Sequence, residues 1–247
     1  MAHKHLNKPN GGPNGGRDSD DGPDGAGNGG EGHHEHGEEA PITFNQIDAT
    51  AYLHADNHAN GTFDEDFVWR VTGLEQNGVH VDLPGLGSKF GMYFIAHATG
   101  HATPGGLAFD TFNVALMVDP GNNDGTVKAT TAGITFANGT SGDFALARGT
   151  LVSGTFFPPD ATGTRHADFV QTMTVTDAGE DVFGHSLTNG AMLRELLTTP
   201  APTFQIIPPS VPGGDVTNLV NGGSAVIQLT PPGPLSLMVE DLRHHGG

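Results

Sequence analysis

The chain has 247 residues, of which 28 are acidic and 10 basic, giving a formal charge of -18. An acidic excess of that size excludes nucleic acid and anionic lipid as main partners, because both call for a basic footprint. Cysteine is absent, which excludes disulfide stapling, Cys-ligated zinc and thiol chemistry.

Glycine at 38 residues and proline at 17, with aromatics at 7%, suit many short strands joined by turns. No run approaches the ~18 apolar residues of a membrane helix, so a soluble protein without membrane insertion is expected. Residues 1 to 40 contain only Met1, Ala2, Leu6, Ala26 and Ala40 as apolar side chains. Too little surface is available there to offset backbone ordering, at roughly 1–2 kcal/mol per residue. The segment reads as a disordered tail. Its first residues lack the apolar stretch of a secretory signal, which leaves residence in the cytoplasm, export by another route, or an altered start as alternatives.

From Pro41 to Gly247 the pattern reads as a single β domain. Phe67, Trp69 and Val71 alternate with Val68 and Arg70, so the first three should face inward. After Asn77-Gly78, Val79, Val81 and Leu83 share one face opposite His80 and Asp82. Phe112, Val114, Leu116 and Val118 repeat the period of two. Short apolar runs at Ile134–Ala137, Phe144–Ala147 and Leu151–Val152 follow, with further strands expected at 168–176, 203–207, 225–230 and 235–239. Asn-Gly pairs at Asn60, Asn77, Asn138, Asn189 and Asn221 fit hairpin turns, since both residues tolerate positive φ. One helix is expected from Gly190 to Leu197, with Met192, Leu193, Leu196 and Leu197 on one face and Pro200 ending it. The fold class expected is all-β, an antiparallel sandwich or barrel of about ten strands with one short helix.

The 14 histidines raise the question of a metal. His33, His34 and His36 lie in the tail and read as a solvated polar tract. His54 with His58, and His97 with His101, have the spacing that shares a metal on a helix. On a strand four residues span ~13 Å, too far for one ion, so a loop would have to close the distance, with Asp56 as a third ligand. Asp18 to Gly22, and the turn carrying Asp119, Asn122 and Asp124, supply hard oxygen donors for calcium. The second fails the EF-hand spacing and reads first as an Asp- and Asn-rich turn. The sequence leaves the cofactor unknown, with calcium or a transition metal as the candidates. No Gly-x-Ser-x-Gly elbow occurs, and Gly85 to Lys89 lacks the spacing of a phosphate loop. Asp64-Glu65-Asp66 reads as a solvated turn before a strand.

Phe90-Gly91-Met92-Tyr93-Phe94, the strand end Val118-Asp119-Pro120, and the run from Gly142 to Gly154 carry a family likeness. On them, residues 89 to 156 resemble bacterial extracellular PEP-CTERM-type proteins, associated with flocculation and exopolysaccharide matrix. The resemblance implies a non-enzymatic protein of the cell surface or exterior, whose partners are itself or extracellular polysaccharide. The alternatives are a metal-dependent β-barrel enzyme using a His pair, and a structural surface protein that binds calcium.

Overall fold

A computed structural model describes residues 39–103, 106–121, 126–137, 139–157, 160–199 and 216–245. Of the expected tail only Glu39 and Ala40 fall among them. The strand expected at 203–207 and the candidate ligands Asn122 and Asp124 lie outside the described residues.

In chain order the elements are β1 (Ile42–Phe44), β2 (Gln46–Asn57), β3 (Thr62–Gln76), β4 (Val79–Val81), β5 (Gly91–Thr103), β6 (Gly106–Asp119), β7 (Val127–Thr130), β8 (Gly133–Phe136), β9 (Phe144–Phe156) and β10 (Arg165–Val175). There follow α1 (Asp177–Phe183), β11 (Met192–Thr199), β12 (Val216–Thr230), β13 (Leu235–Leu237) and α2 (Val239–His244). The order β2-β12-β11-β10-β9-β6-β5-β3 is antiparallel throughout, and β3 pairs back onto β2. Eight strands thereby close into a barrel, the second of the two architectures expected. Closure pairs both sides of these strands and leaves free edges mainly to short ones, such as three-residue β4.

Period two sets the inner face. Phe63, Phe67, Trp69 and Val71 of β3 are buried, as are Met92, Phe94, Ala96 and Ala98 of β5. Phe112, Val114, Leu116 and Val118 of β6 join them as expected. Phe67 stacks on Trp69, with centroids 5.2 Å apart at 14°. Small residues make room for these rings. A Cβ on Gly100 would lie 2.3 Å from Phe63 Cζ and 2.2 Å from the Ala108 carbonyl, so only glycine fits there.

One end of the barrel is sealed. Phe44, Leu74, Leu83, Phe90, Val182, Phe183, Leu235, Leu237 and Leu242 are buried in the same core. They come from the β1–β13 ladder, the end of β3, the loop before β5, and both helices. Thr176 starts α1: its hydroxyl accepts from Gly179 N at 3.1 Å and donates to the Ala145 carbonyl at 2.6 Å, fixing the helix to β9.

A second, smaller core lies outside the wall. The β7–β8 hairpin covers Val68 and Tyr93, with Phe136 packed 5.2 Å from the Tyr93 ring. Val68 was expected to point away from the core. It does leave the barrel interior, yet it is fully buried because the hairpin lies over it. Asn221 clamps the hairpin from β12, its amide accepting from Ala129 N at 2.8 Å and donating to Ala129 O at 3.1 Å.

Three local expectations are corrected. Residues 190 to 197 do not form a helix: Met192–Thr199 is β11, paired on both sides with β10 and β12. Leu193, Glu195, Leu197 and Thr199 face inward and Leu196 is exposed, so the clustered leucines also satisfied a period of two. The two helices stand elsewhere, at 177–183 and 239–244. Val79 is 67% exposed beside its turn, while Leu83 is buried, so the face assigned to that run is only partly inward. Asn221-Gly222 is a bulge inside β12 instead of a turn: the register shifts between Asn221 and Gly223, and Gly222 takes φ 94°. Asn60-Gly61 and Asn77-Gly78 do form the turns expected, joining β2 to β3 and β3 to β4.

Candidate ligand cavity at one end of the barrel

At the end away from the helices the described residues leave part of the interior unfilled. A cavity of about 320 Å³ is lined by Leu53, Ala55, Leu107, Phe156, Leu197 and Val220, with Asn57, Asn218 and Thr199 as polar neighbours. That volume is at the lower end of the range for small-molecule sites. It reaches from the buried Ala55 and Glu65 to Phe157 and His166, which are exposed. The strands explain its shape: β2, β3, β6, β9, β10, β11 and β12 each bring one or more inward residues to it.

Among the described residues, two acids are enclosed in this largely apolar interior. Glu65 on β3 lines the cavity and is 4% exposed, and its Oε2 is buried without a hydrogen-bond partner among the described residues. Burial pushes its carboxyl up to about 8, and the Arg165 guanidinium, which lines the same cavity, pulls in the other direction. Glu65 is therefore mostly neutral at pH 7. Glu195 lies one inward position deeper on β11 than Leu197. Burial raises its carboxyl well above the ordinary value of 4.5, against a hydrogen bond from Gln171 that lowers it. An unionised acid in an apolar site is a hydrogen-bond donor as well as an acceptor.

The metal candidates that fall among the described residues do not line this cavity. His97 and His101 are both on extended β5, and each has its own carboxylate: Nδ1 of His97 is 2.9 Å from Asp66, and Nδ1 of His101 is 3.1 Å from Asp110. His58 pairs with Asp64 at 2.8 Å. His54 is buried under the outer layer with Nε2 3.8 Å from Asp56, whose carboxylate accepts from the Thr217 hydroxyl. Asp119 is fully buried and accepts from Gly121 N at 3.2 Å. Among the described residues, no three or more His, Asp or Glu side chains are grouped so as to hold a metal ion.

The residues that line the cavity were not singled out from the sequence. Asp64-Glu65-Asp66 is part of β3, not a turn: Asp64 and Asp66 meet histidines outside while Glu65 points in. The signal was parity, since Glu65 shares its odd-numbered positions with Phe63, Phe67 and Trp69. Arg165 and His166 had no such signal, standing at the start of a strand beside a turn.

Comparison with protein-family models, curated proteins and solved structures finds no match to this chain.

Proposed function

We propose that the barrel is a binding module that takes one small, mainly apolar molecule into the cavity beside Glu65. The observation that carries this reading is the asymmetry of the two ends: one is packed with side chains from both helices, and the other holds the cavity. Interiors ordinarily close-pack, so an unfilled apolar volume of this size is a place for a guest. The outer wall supports the same reading. It carries Asp64, Asp66, His97 and the Asp168–Arg194 pair at 2.6 Å, side chains that belong in water, while the apolar face is turned inward.

A neutral apolar fluorophore, N-phenyl-1-naphthylamine, tests the reading. Titration should give a saturable fluorescence rise with one equivalent bound. Ala55→Phe, which places a ring in the cavity, should abolish it while circular dichroism remains that of the wild type. Equal binding by both proteins would place the dye on an outer surface and refute the proposal.

A further inference from the structure

Resting on that reading, we infer that the preferred guest carries a single protonated amine, held by the Glu65 carboxylate at the inner wall of the cavity.

Glu65 lines the cavity, and its Oε2 is buried there with no hydrogen-bond partner among the described residues. An unpaired buried polar atom is costly, and a guest able to donate to it removes that cost. Hydrogen bonds with an ionised partner are roughly twice as strong as neutral ones. An ammonium group displaces the acid proton: R–NH3+ enters, the O–H bond of Glu65 breaks, and the proton leaves to the buffer. A neutral guest such as an alcohol accepts from the protonated acid instead, and gains only the weaker bond.

The competing guest is a carboxylate, and charge argues against it. Its partners would be Arg165 and His166, which are exposed at the rim, where ion contacts contribute little. Farther in it would meet Glu65 and then Glu195, both of which lose favour beside a second negative charge. The chain as a whole, at -18, attracts cations and repels anions during approach. Arg165 opposes a cationic guest, but water screens it, while Glu65 is enclosed.

Calorimetry of the full chain with decylamine, decanol and decanoate at pH 7 separates the cases, the three probes sharing one apolar tail. Decylamine should bind about tenfold or more tightly than decanol, with decanoate weakest. Its heat should differ between phosphate and Tris in the sense of close to one proton released, which decanol binding should not show. In Glu65→Gln the amine advantage over decanol and the proton release should both vanish while the circular dichroism remains that of the wild type. Equal binding of amine and alcohol by the wild type would overturn the ammonium assignment and leave the cavity reading standing. Tightest binding by decanoate would overturn it in favour of an anionic guest at Arg165. Binding by none of the three would overturn the cavity reading itself.

Discussion

The side-chain amide of Gln171 donates to Glu195 at 3.2 Å, a buried polar bond between β10 and β11 inside the barrel. The other oxygen of Glu195 is buried without a partner among the described residues. Burial raises the carboxyl, so the folded state holds its proton more tightly than the unfolded chain does. The linkage sign follows: the stability is fully present below about pH 4.5 and is lost as pH rises toward the folded value.

Glu195→Gln removes this titration without changing size. Thermal unfolding should show the variant gaining on the wild type as pH rises above the ordinary carboxylate range, by at most about 1.4 kcal/mol per pH unit. At pH 4 the gap should be smallest. Glu65→Gln should behave alike, with its gain levelling off near pH 8, where its carboxyl titrates. Parallel stability curves would mean that neither acid is neutralised by burial.

Trp69 is fully buried, stacked on Phe67 and 6.4 Å from the Phe112 ring. Trp69→Ala should cost about 3–5 kcal/mol in urea unfolding. Its indole N–H is buried without a partner among the described residues, so Trp69→Phe sacrifices no hydrogen bond and should cost under half of that. Similar losses in both variants would show that the N–H is satisfied.

Gly179 in α1 poses two opposed effects. Alanine favours a helix interior by up to about 1 kcal/mol. A Cβ there, however, would lie 1.9 Å from the Leu146 carbonyl, backbone that cannot swing aside. The overlap wins, and Gly179→Ala should lower Tm by several degrees, consistent with overpacking costs of about 1–3 kcal/mol. A raised Tm would mean that α1 does not sit this close to β9.

Asn221 holds the outer hairpin by two hydrogen bonds to Ala129. Asn221→Ala should cost about 1–3 kcal/mol and speed amide exchange at Ala129 far more than at Val114 inside the wall. Unchanged exchange at Ala129 would show that the hairpin is held by its apolar contacts alone.

Alternation made much of the wall legible in the sequence. Phe67, Trp69 and Val71, and Phe112 through Val118, have an unambiguous period and lie where it puts them. Residues 192 to 199 were ambiguous because Leu193 and Leu197 fit one face of a helix and one face of a strand alike. Pairing with β10 and β12 decided between them, and neither neighbour is local. Closure was hidden for the same reason: β2 meets both β3 and the distant β12. The site was half legible. An acid at an inward position between Phe63 and Phe67 is a visible anomaly, but that Arg165 shares its cavity is a product of the closed topology.

The central claim is that a guest sits inside this end of the barrel, and intermolecular NOEs test it most directly. With Leu and Val methyls labelled and decanol bound, cross-peaks should connect the alkyl chain to Leu53, Leu107, Leu197 and Val220, which line the cavity. Val68, under the outer hairpin, and Val152, exposed on the wall, should show none. Cross-peaks to Val68 or Val152 without those to the cavity methyls would contradict the account.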